Sequence, residues 1–445
     1  MKYRSMLVMV AWCLCAVLAA AVSAQENTPP KPQPAKAQPV KAVKFGKLWD
    51  GKGKVWTNAI VIVEGERIRE VTTDAKKIPA GAEILDLSKY YGLPGLIDVH
   101  THMTMYTDET PPSATGQLTP MLKQITSNSA AVQVFLARKG ALRTLEAGVT
   151  TVRDLGADQY EDIAMRDLIN RGEMVGPRMF VCGYGLYITN TPYKPGLNLP
   201  AGGIADGAPE VLRVVRQQIA AGADVIKLYA STGTDDDTTG FETYNYDEIK
   251  AAVDAAHQFG KKIAIHSYGP DGARDAVRAG TDSLEHATDM DDATIAEMAK
   301  RGTFYVPTID HNRYYLDNWQ KIGYADGFQA KTKAFIERNL ETARKAHKAG
   351  VKFAMGSDAI YTMFGENTRE LAWFVKAGMT PEEALKTGTT NAAELLGKKD
   401  ELGAVAAGYF ADLVAVDGDP LADVNVTITK VKWVMKGGAV VVERK

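Results

Sequence analysis

Two hydrophobic periods divide the chain. Near the start, Ala59-Ile-Val-Ile-Val-Glu64 and Arg67-Ile-Arg-Glu-Val71 are β-branched runs broken at Glu64-Gly65-Glu66, the signature of short strands joined by a turn. The last forty residues repeat that style in Ala411–Val416, Val431–Met435 and Ala439–Glu443, with Gly437-Gly438 as a hairpin signal. The two ends are expected to pair into one small β-sandwich domain, residues 42–92 and 400–445. Between them, eight β-like runs begin at Gly95, Val149, Met179, Val225, Ile263, Ser283, Phe304 and Phe353, and alternate with Ala-rich amphipathic stretches such as Tyr246–Phe259 and Glu337–Ala349. That order predicts an α/β fold whose centre, residues 93–399, is a closed (β/α)8 TIM-like barrel. An open doubly wound sheet would want a Gly-rich phosphate loop after an early strand, and none is present.

Ahead of the first strand, residues 25–41 are Pro, Lys, Gln and Ala with almost nothing to bury, and read as an extended linker. Residues 1–24 differ again. Lys2 and Arg4 precede an apolar run from Met6 to Val22 and the small-residue pattern Val22-Ser23-Ala24, which reads as a secretory signal peptide. An uncleaved anchor is the alternative, although the apolar run is short of the roughly 20 residues a spanning helix needs. The expected product is secreted or periplasmic, with no stable membrane anchor after cleavage. Cys13 and Cys15 lie inside the signal, so only Cys182 would remain and no intrachain disulfide could form.

Composition narrows the partners. The 445 residues are 45% hydrophobic and 24% charged, as in ordinary folded proteins, which excludes collagen, wholesale disorder and a small disulfide scaffold. With 52 Lys+Arg against 54 Asp+Glu the formal charge is -2, so no basic surplus points to nucleic acid and a small-molecule substrate is expected.

The chemistry sits at the ends of the predicted barrel strands. His100 and His102 end the first run, Lys227 lies in the fourth, His266 and His286 end the fifth and sixth, and Asp358 follows the eighth. In such a barrel the C-terminal strand ends form the active-site face. Strand alternation puts His100 and His102 on one side, able to grip one cation. Neutral imidazoles with a carboxylate suit zinc and related ions. A lone His-x-His would more often be a hydrogen-bonded core pair, but four of the seven His fall at such strand ends.

These residues also carry a family resemblance. Gly92-Leu-Pro-Gly-Leu-Ile-Asp-Val-His-Thr-His102, the Lys of Ala223-Asp-Val-Ile-Lys-Leu-Tyr229, Ile265-His266-Ser, Leu284-Glu-His286 and Met355-Gly-Ser-Asp358 resemble the amidohydrolase superfamily over about residues 42–445. Within that superfamily the chain most resembles the branch containing metal-dependent Xaa-Pro and Xaa-Arg/Lys dipeptidases, imidazolonepropionase-like proteins and ochratoxin-type amide hydrolases. The resemblance implies two divalent ions, usually zinc, with His100, His102 and Asp358 on one and His266 and His286 on the other. Lys227 would bridge them as a carbamate, since a cationic Lys of pKa near 10.4 repels metal. The bland alternative is a salt-bridged barrel lysine. Homo-oligomers are common in the family.

The implied reaction is attack of a metal-bridging hydroxide on a peptide or peptide-like amide: a dipeptide, an N-acyl amino acid or an ochratoxin-like amide. Asp358 would accept the water's proton and pass it to the leaving amine. Tyr268, two residues after His266, faces the same cavity and could bind the oxyanion or simply pack. The insert Asp310-His311-Asn312-Arg313 follows the seventh run as a loop, in which His311 or Arg313 could hold a substrate carboxylate and His311 could assist the carbonyl, the alternative being a plain solvated loop. Arg153-Asp154 reads as a structural ion pair, His257 and His347 as surface residues, and Asp235-Asp236-Asp237 as no calcium loop. Many dipeptidase-like members carry a histidine where this chain has Tyr184-Gly-Leu-Tyr-Ile-Thr-Asn190, which counts against plain Xaa-Pro specificity. The aromatic segments Tyr184–Tyr193 and Phe304–Trp319 favour a bulky substrate. Two rival readings stay open: a cyclic amide or lactone hydrolase, and a non-catalytic ligand-binding protein on the same fold.

Overall fold

The computed structural model describes residues 40–107, 128–189, 201–232, 240–322, 324 and 326–444. The signal peptide, most of the linker, Asn190–Tyr193 and Asp235–Asp237 lie outside the described residues. Its strands are β1 (Val40–Trp49), β2 (Val55–Glu64), β3 (Arg67–Thr72), β4 (Glu83–Pro94), β5 (Leu96–Tyr106), β6 (Val149–Asp154), β7 (Arg178–Val181), β8 (Val225–Tyr229) and β9 (Ser231–Thr232). Then come β10 (Phe241–Glu242), β11 (Lys262–Ser267), β12 (Ser283–His286), β13 (Phe304–Val306), β14 (Lys352–Phe353), β15 (Ala359–Tyr361), β16 (Leu413–Val416), β17 (Val431–Lys436) and β18 (Ala439–Glu443). The linker expected to run to Lys41 therefore gives way two residues earlier, because Val40 and Lys41 already pair with Glu64 and Val63.

The two chain ends form one seven-stranded sheet in the order β18-β17-β16-β4-β1-β2-β3. It curls back on itself. The edge strand β3 meets the segment leading into β16, where Ile68 N donates to the Tyr409 carbonyl at 2.9 Å. One face closes over Val43, Phe45, Val61, Val63, Leu413, Trp433 and Met435, and the other, through Tyr91, Val414 and Val434, joins the core of the barrel. Gly437 and Gly438 both take positive φ, at 52° and 74°, which a tight two-residue hairpin demands.

The barrel contains all eight predicted strands. β5-β6-β7 and β8-β11-β12-β13-β14 run parallel within their sheets. Backbone bonds close both seams. Leu186 N donates to the Lys227 carbonyl at 2.9 Å on one side, and Val99 N to the Met355 carbonyl at 2.8 Å on the other. Two of the helices between strands start at recognisable sequence signals. Asn245 and Glu248 form a capping box on Tyr246–Gln258, and Pro270 opens Pro270–Ala279, which ends at Gly280 in the left-handed region. Among the described residues no helix is long and apolar enough to cross a membrane.

Candidate metal centre

Strand pleating delivers the site. Asp98, His100 and His102 are alternate residues of β5 and share the inward face, Lys227 is the central residue of β8, and His266 and His286 come from the ends of β11 and β12. Asp358 follows β14, and its N–H donates to the His100 carbonyl at 2.7 Å, stitching it beside β5. Gly356 allows that approach: a Cβ there would stand 2.4 Å from Val306 Cγ1 and 2.7 Å from His100 Cβ. His286, Thr308 and Asp358 all have positive φ, at 71°, 49° and 52°, so the backbone is strained at this mouth.

All six side chains predicted as metal-binding meet there, and all are buried. One ligand atom each of His100, His286 and Asp358 fall within 4.8 Å of one another. Asp358 Oδ1 is 3.3 Å from His102 Nε2 and 3.5 Å from His100 Nε2. The His266 ring centroid lies 4.4 Å from that of His286. Burial raises the Asp358 carboxyl, but His311, His100 and His102 outweigh it and hold the group well below the usual carboxylate range. Burial, reinforced by Lys227, keeps His100 and His266 neutral, His100 falling to about 4.

The donor set fits divalent cations. His100 Nε2 and Lys227 Nζ are both buried with no hydrogen-bond partner among the described residues, a costly arrangement unless such atoms bind something. Burial lowers the Lys227 amine to about 8, so it is far easier to neutralise than an exposed lysine. An amine this readily neutralised, open imidazole nitrogens and an ionised carboxylate together are metal-binding chemistry.

The residues proposed around this set divide. Tyr268 stands over the site, stacked on His286 with centroids 4.8 Å apart and edge-on to His266 at 4.6 Å. His311 Nδ1 is 2.8 Å from the Asp358 carbonyl, and its Nε2 is 3.3 Å from Asp358 Oδ2. Arg313 does not join them. Its guanidinium is held by Asp310, Asp317 and Glu366. The segment expected to be a loop is the start of the helix Ile309–Ile322, on which residues two apart point to different sides, so only one of His311 and Arg313 can face Asp358.

Arg153 and Asp154 do not pair either, because neighbours on a strand face opposite ways. Asp154 accepts from Met103 N, while Arg153 NH2 reaches Glu285 Oε1 at 2.9 Å. Sequence reasoning left Glu285 without a role, though Ser283 and Glu285, two apart on β12, put two polar side chains on one face of a buried strand. Also unanticipated were Thr308, whose hydroxyl is 2.6 Å from His286 Nδ1, and the Gly156 carbonyl, 3.0 Å from His102 Nδ1. His257 is a surface residue paired with Asp282 at 2.8 Å, His347 is half-buried edge-on to Phe353, and Cys182 is a buried free thiol.

Comparison with known proteins agrees with this picture. The Amidohydrolase family profile matches residues 91–441. Ochratoxinase of Aspergillus niger is 31% identical over 427 residues, spanning 88% of this chain and 85% of that protein. Imidazolonepropionase of Shouchella clausii is 25% identical over 86% and 85% of the two chains. Among solved structures, a Xaa-Pro dipeptidase with methionine bound in its active site superposes with TM-score 0.80 at 30% identity, covering 90% of this chain and 99% of the other.

Proposed function

The chain belongs to the amidohydrolase family, and from that premise we propose that it is an exported hydrolase holding two divalent ions, zinc foremost, that cleaves a peptide or peptide-like amide. Dipeptides, N-acyl amino acids and ochratoxin-like amides are its candidate substrates. The observation that carries this reading is the convergence of His100, His102, His266, His286 and Asp358 around the buried Nζ of Lys227, which has no hydrogen-bond partner among the described residues. His100, His102 and Asp358 would hold one ion, His266 and His286 the other, and Lys227, as its carbamate, would bridge them. When bound, the ions would acidify a water and polarise the scissile carbonyl.

The chain's own groups manage the proton. Asp358 enters ionised, because three imidazoles face it, and can accept a proton from the attacking water. His311 Nδ1 meets the Asp358 carbonyl, which leaves its Nε2 3.3 Å from Oδ2, where the two can share a proton. A proton arriving at Oδ2 is therefore held between carboxylate and imidazole until the departing amine takes it. Tyr268 presents its phenol ring to the same mouth, where it orients the substrate. Behind it, Tyr187 stacks on Tyr229 at 4.4 Å, and Tyr229 lies 5.0 Å from His266. Two phenol rings against the histidines, with Tyr187 stacked on one of them, favour an amide carrying an aromatic or bulky group. The signal-like N-terminus supports export to the periplasm or medium.

The test is hydrolysis of dipeptides and N-acyl amino acids with varied C-terminal residues by the metal-loaded protein, beside Asp358→Asn. Release of amino acid by the unmodified chain alone is expected. No release from any member, with metal bound, would sink the reading and turn attention to cyclic amides and lactones.

A further inference from the structure

The barrel lumen below the site contains a group that the reaction outlined above does not use. Arg153 extends from β6 and spends its guanidinium on three acceptors: NH2 on Glu285 Oε1 at 2.9 Å, NH1 on Ser283 Oγ at 2.9 Å, and Nε on the Val99 carbonyl. The other carboxylate oxygen of Glu285, Oε2, lies 2.8 Å from His100 Nδ1. Arg153, Ser283, Glu285 and His100 are each at most 1% exposed. One side chain thus grips the backbone leading into His100 and, through Glu285, the ring of His100 itself.

A buried Arg–Glu pair in a barrel lumen is a poor stabilising device. Desolvating both ions costs several kcal/mol each, and apolar side chains of similar volume commonly do as well or better. What the pair can supply is geometry. A carboxylate accepts only, so Nδ1 must carry the hydrogen and Nε2 must present its lone pair, and Nε2 is the buried nitrogen with no hydrogen-bond partner among the described residues. Two of the other site imidazoles have weaker acceptors behind them. His102 Nδ1 meets the Gly156 carbonyl and His286 Nδ1 the Thr308 hydroxyl. A carboxylate behind the ring raises the donor strength of the opposite nitrogen more than a neutral oxygen does.

We propose that Arg153 and Glu285 are positioning residues that fix the tautomer and orientation of His100, so that the ion His100 binds is held more tightly than its neighbour. The proposal rests on His100 being a metal ligand. Its test is a chelator-competition titration of the demetallated full-length mature protein with Zn2+, comparing the unmodified chain with Glu285→Gln, Arg153→Lys and the double variant, with melting temperatures in parallel. We expect the unmodified chain to show two affinities, Glu285→Gln to lower the tighter one about 10–100-fold, and the double variant to lose no more than Glu285→Gln alone. Unchanged affinities in a folded Glu285→Gln protein, or an equal loss at both ions, would overturn it. Should Glu285→Gln fail to fold, Ser283→Ala removes one of Arg153's acceptors and keeps both charges. A smaller loss confined to the tighter ion is then expected, and a fall in melting temperature with both affinities unchanged overturns the proposal. Failure of the unmodified chain to bind metal would fall instead on the reading of the site itself.

Discussion

The terminal sheet and the barrel mouth both exclude water, and they do opposite things with that exclusion. In the sheet, Val43, Phe45, Val61, Leu413, Trp433 and Met435 have only carbon and sulfur surface to hide, apart from one indole nitrogen, and each fully buried side chain contributes roughly 1.5–3 kcal/mol. At the mouth the buried groups are imidazoles, an amine and a carboxylate, set on strand ends with left-handed backbone at His286 and Asp358. Burial there costs stability. What it yields is a set of groups whose protonation differs from that in water, as His100, Lys227 and Asp358 illustrate. One region holds the chain together, and the other spends part of that stability on chemistry.

If that division is right, the two regions respond to mutation in separable ways. Asp358→Asn should lower kcat on a cleaved amide by about 10²–10⁴-fold, while the melting temperature of the metal-free protein shifts by only a few degrees; a loss of folding comparable to the loss of rate would erase the contrast. Trp433→Ala is the reverse case. It should cost about 3–5 kcal/mol in denaturant unfolding, with kcat of the remaining folded protein within about twofold of the unmodified chain.

The Lys227 amine gives a pH test confined to the mouth. Its folded value of about 8 lies below that of an ordinary lysine, so the neutral form that can add CO₂ appears on going from pH 6 to pH 8 rather than near pH 10. At fixed dissolved CO₂, the rate at which demetallated protein regains activity with Zn2+ should therefore rise roughly fiftyfold over that interval. A flat profile would remove the carbamate. The same sign holds for stability. The unfolded chain binds the Lys227 proton more readily than the folded one between these two pKa values, so the metal-free protein gains stability as pH rises through them. The smallest effect belongs to Arg313→Ala. Because Asp310, Asp317 and Glu366 occupy that guanidinium, KM and kcat should stay within about twofold, and a large rise in KM would return Arg313 to the substrate.

How much of this was legible in advance depends on how local the cause is. His100, His102, Lys227, His266, His286 and Asp358 could be read because each lies within or shortly after a β-like run, and a barrel turns such positions toward one mouth. The hairpin at Gly437-Gly438 was equally local. The start of the helix Ile309–Ile322 was not, since Asp310-His311-Asn312 is loop chemistry on its face. Its free N–H groups are met by Glu370, which accepts from Ile309 N and Asp310 N at 2.9 and 2.8 Å, and nothing nearby in sequence announces that acid. The Arg153–Glu285 pair joins β6 to β12 across the lumen, a contact between strands far apart in the chain. Read locally, Arg153 was matched with its neighbour Asp154, which strand alternation forbids.

The terminal sheet also has a history in time. β4 lies between β1, made before it, and β16, which pairs Leu413 with Pro94 only after the whole barrel sequence has been made. Pairings that distant in sequence close late, because the loop entropy must be met before any contact rewards it. While the chain emerges from the ribosome, β4 carries an open edge, and the hydrophobic face of the sheet has no lid. The last strands to be synthesised are therefore the ones that end the period of greatest aggregation risk, and a nascent chain stopped short of them leaves that edge exposed.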